Sequence, residues 1–215
     1  RRSEACFVAG EIALLQLFQL STAEALLLET LSLQPDHNRA QGHLAGLYGL
    51  CGLTSLTTSL RLERLYTGKF AEVDLLLLAL GDTAAENAGS LSSYIKNSPK
   101  DPLTLLGQAH QAWQQHDFTT AQPLYEQGLA QRPELFDAQA RLGRILLEQT
   151  DPAQFLKWHA HLPAGATNHA EIWAVRGDWS LRQNDTPGAI RCYWEACRRD
   201  PTHRRAHHQL GQCLS

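Results

Sequence analysis

The sequence predicts an all-α fold of antiparallel helix pairs, and three recurrences predict it. Gly143, Gly177 and Gly211 are evenly spaced at a step of about 34 residues, and Ala109 stands one step earlier. Ala121, Phe155 and Ala189 keep the same step, and Tyr125 and Tyr193 follow the two alanines by four positions. Pro99 and Pro133 are also one step apart, and Pro201 follows Pro133 by two steps. Small residues at two fixed phases let paired helices approach, while a proline closes each unit. A period of this length marks a repeat built from one helical hairpin.

In chain order, residues 4–20 and 21–34 read as two helices, the second with Ser21 as N-cap and Glu24 three residues on in a capping-box pattern. Gly10 and Ala23 stand near the small-residue phases but miss them by one, so this first repeat is degenerate. Pro35-Asp36 ends it. Residues 38–51 continue with Leu44, Ala45 and Leu47 on one face. Each of Gly42, Gly46 and Gly49 costs about 1 kcal/mol relative to Ala in a helix, so they are read as points of close helix–helix approach. Residues 53–98 slip in phase, because the interval from Pro35 to Pro99 falls four short of two repeats. Leu53, Leu56, Leu60 and Leu65 lie at helical spacing, and Gly68-Lys69-Phe70 is read as a mid-repeat turn. A short Leu-rich helix follows over 71–80, its leucines on all sides, either packed within the stack or grooved for a partner's helix. Residues 83–97 read as a weak segment.

From Pro102 the phase is regular. Helices are expected at 103–115 and 119–131 about a turn at 116–118, with Pro123 in the first turn of the second. The next repeat opens at 135–149, and Asp151-Pro152 starts a helix that runs to 161. A loop at 163–168 restores the phase before the best repeat, 170–203, where Trp173, Trp179, Ile190 and Tyr193 fill the space between helices. A lone first helix, 204–214, comes last. Its Leu210, Cys213 and Leu214 face a partner helix that the chain lacks. That surface is expected to meet a continuation of the chain, an adjoining domain or another subunit in a homo-oligomer, or else to cap the array with its far side exposed.

The two small-residue phases, the aromatic residue four positions after the second and the closing proline resemble the tetratricopeptide repeat. The likeness is specific over residues 99–214 and weaker over the degenerate repeats of 1–98. Arg176 departs from it by replacing the usual Leu before the first small residue, which Leu142 and Leu210 keep, and Pro187-Gly188 replace helix formers at the turn. The resemblance implies a right-handed α-α superhelix forming a single domain over residues 1–215, with the first helix of each repeat on the concave wall. It also implies a scaffold that binds a protein or peptide partner along that wall, without catalysis. By register the candidate groove residues are His110, Trp113, Arg144, Asp178, Arg182 and His208. The carboxylate clamp of one subfamily is unmatched, since Ala140, Arg144, Ala174 and Val175 stand at its positions.

Composition narrows the alternatives. With 215 residues and 43 % hydrophobic content the chain has enough apolar matter for a packed interior, and its net charge of −3 gives no general drive towards nucleic acid or anionic lipid. From Ala170 onward, however, seven arginines oppose five acids. A nucleic-acid-binding helical array using this basic end, with its Arg198, Arg199, Arg204 and Arg205 cluster, is the alternative function. No interleaved aromatic platform is evident there. The longest apolar run, residues 75–80, is too short to span a bilayer, and the start does not read as a cleaved signal. Five cysteines, odd in number and without CxxC pairs, are read as buried thiols. No Walker loop, GxGxxG, HExxH or nucleophile elbow occurs, so no enzyme activity, cofactor, metal or small-molecule substrate is expected. His203, His207 and His208, and separately His159, His161 and His169, lack a completing ligand and are read as surface histidines. A cytoplasmic location is favoured, and the absence of Met leads to the expectation of a fragment of a longer protein.

Overall fold

The computed structural model describes residues 1–72, 74, 75, 78, 88–149 and 152–215. Among them it contains twelve α-helices and no strand. In order these are α1 (Arg2–Leu15), α2 (Leu20–Leu33), α3 (Asn38–Leu50), α4 (Thr54–Tyr66), α5 (Ala88–Asn97) and α6 (Pro102–Gln114). Then follow α7 (Phe118–Gln131), α8 (Phe136–Glu148), α9 (Pro152–Ala160), a 3-10 turn (Ala164–Asn168), α10 (Ala170–Arg182), α11 (Thr186–Arg199) and α12 (Arg204–Leu214). The chain divides into two compact units, residues 1–128 and 129–215, with the boundary inside α7. No helix among the described residues is long and apolar enough to cross a membrane.

The repeat is visible in the backbone itself. Phe18, Gly52, His116 and Asn184 all have positive φ, between 53° and 68°, and each lies in the turn joining a first helix to its second. Phe18 and Gly52 are one repeat step apart, and His116 and Asn184 are two. The left-handed region suits Gly and tolerates Asn and His, so one turn geometry is met by different chemistries. An aspartate follows two of these turns and caps the second helix. Asp117 accepts the Thr120 N–H at 3.1 Å, and Asp185 accepts the Gly188 N–H at 2.9 Å.

Within each hairpin the small-residue phases are points of contact. A Cβ on Gly143 would stand 2.5 Å from the Trp158 indole, and one on Gly177 would stand 2.6 Å from the Tyr193 ring. Tyr193 is fully buried and donates its hydroxyl to Asp178 at 2.7 Å. Burial, then that bond to a carboxylate, raises its pKa far above the ordinary phenol value. Gly211 occupies the same phase on α12, and a Cβ there meets nothing within 4 Å among the described residues.

The first unit corrects several expectations. α1 stops at Leu15, and α2 begins before Ser21, which therefore lies inside the helix instead of capping it. The Ser21 N–H instead donates to Asp101 Oδ2 at 3.1 Å, while Asp101 Oδ1 caps α6 through Leu103 and Thr104. Tyr94 of α5 donates to the Leu14 carbonyl at 2.9 Å and packs edge-on against Phe18 at 5.4 Å. These tethers join positions 80 apart in the chain, beyond the reach of adjacent repeats, so the α1–α2 corner meets α5 and α6 directly. Residues 88–97, read as a weak segment, form α5, with Leu91 and Tyr94 supplying its buried contacts.

α4 pairs with α3 as a second helix, so Gly68 ends a repeat and is not a mid-repeat turn. Its buried face is more polar than its leucines suggested. Thr57, Arg61 and Arg64 face inward beside buried Leu53, while Leu60 and Leu65 are half-buried and Leu56 is exposed. Gly42 explains part of this, because the space a Cβ would fill holds the Arg64 guanidinium, which is paired with buried Asp74 at 3.1 Å. Gly46 faces open space, so the reading of all three α3 glycines as helix contacts holds at neither its middle member nor, in kind, at Gly42. Of the expected Leu-rich helix, Asp74 is buried and Leu75 exposed; residues 73, 76, 77, 79 and 80 lie outside the described residues.

Beyond Pro102 the helices fall where expected within a residue or two. Pro123 sits one turn deeper in α7 than anticipated, where it forgoes the bond its N–H would make to Thr119. Of the five free cysteines only Cys51 is fully buried, its thiol 3.2 Å from the Leu103 carbonyl.

The shared phase of Gly177 and Gly211 yields a paired prediction. Gly177→Ala forces the Tyr193 ring aside and should destabilise by about 1–3 kcal/mol. Gly211→Ala meets no neighbour and should stabilise by up to about 1 kcal/mol through helix propensity alone. Urea denaturation of the two variants should therefore shift the midpoint in opposite directions.

Candidate functional site

The first helices of the second unit, α8, α10 and α12, carry four of the six groove candidates. Arg144 lies on α8, Asp178 and Arg182 on α10, and His208 on α12. Packing of α10 against α8 and of α12 against α11 brings residues one repeat apart into reach.

A ladder of charge pairs results. Arg144 pairs with Glu171, and the other oxygen of Glu171 meets His203 Nε2 at 2.6 Å. Asp178 accepts Arg205 at 2.6 Å on one oxygen and the Tyr193 hydroxyl on the other. Glu148 pairs with Arg182 at 3.3 Å, and Asp137 lies 3.5 Å from His169. Glu171 is the hub, since it joins α8 and α12 to its own helix. Burial, followed by repulsion from Arg205, lowers the Arg144 pKa to about 10, with Asp178 opposing. The guanidinium remains cationic at neutral pH.

His203 is the N-cap of α12. Its Nδ1 accepts the Ala206 N–H at 3.0 Å, which leaves the ring proton on Nε2 to face Glu171. The side chain is only 9 % exposed, so the reading of His203 as a surface histidine is corrected. His37 repeats the device in the first unit, where Nδ1 caps α3 at Ala40 and Nε2 stands 3.6 Å from Glu4. His207 bonds the Pro201 carbonyl at 3.0 Å. Among the described residues no three His, Cys, Asp or Glu side chains gather as a metal site would require.

The remaining two candidates belong to the first unit. His110 is buried, stacks on Trp113 at 6.2 Å and meets Gln114 at 3.1 Å. A Cβ on Gly52 would collide with its ring, so the positive-φ turn and the imidazole are packed together. Trp113 is half-buried. In the second unit Arg182 and His208 are the more open, and Arg144 and Asp178 are partly covered.

Sequence reading missed Glu171 and did not pair it with His203, or Asp178 with Arg205; the signal for these pairs lies in intervals shorter than the period. Arg144 precedes Glu171 by the same interval as Asp178 precedes Arg205, and Asp137 precedes His169 by the same interval as Glu171 precedes His203. Against the repeat step, such offsets place the partner about two turns or about half a turn earlier in the next repeat. It also missed a second cluster, in which the Arg176 and Arg199 guanidinium carbons lie 4.7 and 4.8 Å from the centre of the Trp173 ring. Aromatic and basic side chains do interleave at this end of the chain.

Residues 112–178 match the family model described as tetratricopeptide repeat, within the stretch where the resemblance is most specific. Comparison with curated proteins gives no match. Among solved structures, the crystal structure of the APC/C hetero-tetramer Cut9-Hcn1 is similar, with a TM-score of 0.52 and 14 % sequence identity. The likeness covers 99 % of this chain and 46 % of that chain, so this chain spans about half its length. At such identity the likeness is one of fold. The fold class is therefore the expected all-α solenoid of helix pairs.

Burial lowers the His203 pKa below the ordinary 6.5, aided by Arg144 and Arg205 and opposed by its backbone bond and Asp200. The unfolded chain thus takes up a proton near pH 6.5, before the folded one does, and stability present above that pH is lost as it falls. His203→Asn keeps an N-cap acceptor but cannot titrate. Urea midpoints should drop further between pH 7.5 and 5.5 for the wild type than for this variant. His203→Ala, which removes the cap, should cost about 1 kcal/mol at pH 7.5.

Proposed function

We propose that the chain is a protein-interaction scaffold whose first-helix face in the second unit docks an extended segment of a protein partner. Arg144, Asp178, Arg182 and His208 supply the polar contacts, and Trp113 and His110 belong to the corresponding face of the first unit. The observation that carries this reading is the charge ladder on successive first helices. It sets arginines and carboxylates at fixed steps along one face, with Arg182 and His208 at its open rim. The tetratricopeptide match over residues 112–178 supports the same class of function. No catalytic step enters the reading.

Ordered, alternately charged rows suit recognition, because a partner with the complementary order gains several pairs and one with the wrong order meets like charges. Nucleic acid on the basic end has less support. Arg205 is held by Asp178, and the Trp173 ring is already covered by the Arg176 and Arg199 guanidiniums, so stacking finds no series of free aromatic faces there. Salt-sensitive retention on RNA would favour that alternative.

Panning a random-peptide library on the full chain should select peptides whose affinity, read by fluorescence anisotropy, falls about tenfold or more when Arg182→Glu and His208→Glu are combined. Selected peptides indifferent to that pair of changes would remove the reading.

A further inference from the structure

A second surface lies on the second-helix side of this unit. It begins with Arg176, which takes the place held by Leu142 and Leu210 in the flanking repeats. The side chain is half-buried, its Nε is enclosed without a hydrogen-bond partner, and no carboxylate among the described residues pairs with it. Leaving water without an opposite charge is costly for a guanidinium. Its recorded neighbours are the Trp173 ring, Arg199, the Cys192 thiol and His159.

The patch continues onto α11. Trp173 Nε1 and Arg199 Nε both donate to the Thr167 carbonyl, at 2.8 and 2.5 Å, which locks indole and guanidinium to the 3-10 turn. Glu195 then takes Arg198 and Arg199 together, and Arg198 lies 5.6 Å from the Trp194 ring centre. Trp194 is 52 % exposed, a large fraction for an indole. Arg191, Trp194 and Arg198, at spacings of three and four, share the outer face of the helix. Four arginines (176, 191, 198 and 199) are thus met by one carboxylate, in a chain whose net charge is −3.

We propose that this Arg–Trp patch is a second docking site, separate from the first-helix face, for an acidic segment of a protein partner. One carboxylate of that segment pairs with Arg176, others with Arg191 and Arg198, and Trp194 is the apolar anchor. Exposed Trp beside Arg is the composition of interface hot spots, and the unneutralised Arg176 supplies the charge that selects an acid. A single-stranded nucleic acid fits less well. The Trp173 ring is already flanked by two guanidiniums and its N–H is bonded, so one indole remains where stacking needs a series of free faces.

The test uses the full chain and a fluorescein-labelled decapeptide of alternating Asp and Glu, with a Ser–Gly decapeptide and decauridylate RNA as comparisons. Anisotropy at low ionic strength should show saturable binding of the acidic peptide and none of the neutral one. Arg176→Leu and Trp194→Ala should each weaken it by about fivefold or more, while Arg2→Gln, at an exposed arginine of the first unit, leaves it unchanged. Arg176→Leu should also melt at the same temperature as the wild type or higher, since it removes an unpaired cation from a place where other repeats carry Leu. Absence of saturable binding, unchanged affinity in both patch variants, or equally tight decauridylate binding with the same sensitivity would each overturn the proposal. Trp194 is exposed, so its variant keeps the test decisive should Arg176→Leu fail to fold.

Discussion

The second unit depends on the absence of two Cβ atoms. Trp158 and Tyr193 lie across first helices at Gly143 and Gly177, closer than any side chain would permit. That contact sets the separation of each hairpin and orients its first helix. Once neighbouring first helices run side by side, positions 27 or 32 apart come within bonding distance, and the pairs around Glu171 and Asp178 follow. The apolar contact sets the geometry, and the electrostatics ride on it.

α12 shows how far that logic extends. Its only buried residue is Ala206, so it adds little apolar area to the stack. His203 on Glu171, Arg205 on Asp178 and the cap at Ala206 hold it instead. Leu214 is left 67 % exposed, and Leu210 and Cys213 are half-buried. A helix held by an ion pair, a histidine–carboxylate hydrogen bond and a cap answers to pH and salt more than one held by apolar packing.

The two faces of this unit differ in how their charges are balanced. On the first-helix side Arg144, Arg182 and Arg205 each have a carboxylate, so a partner there must exchange pairs already made. On the second-helix side Arg176 has none among the described residues. Both readings of function turn on that difference, and the cluster around Trp173 shows that a basic stretch can carry its aromatic residues a helix away in sequence.

The sequence by itself determined the all-α class, the repeating hairpin and the helix positions beyond Pro102, because period, glycine phase and proline are local signals of backbone geometry. It also marked Arg144, Asp178 and Arg182 by register, since positions one period apart share a face. Tertiary structure alone decided what those side chains touch. Glu171 was invisible as a hub because its partners, Arg144 before it and His203 after it, lie on different elements at two different intervals, neither equal to the period. In the first unit the inward face of α4 is polar because Gly42 leaves room for Arg64, and the α1–α2 corner is tied to groups 80 positions on. Periodicity describes one element and its neighbours. Which polar group fills a notch, or which distant carboxylate claims a backbone N–H, is settled only when the chain is packed.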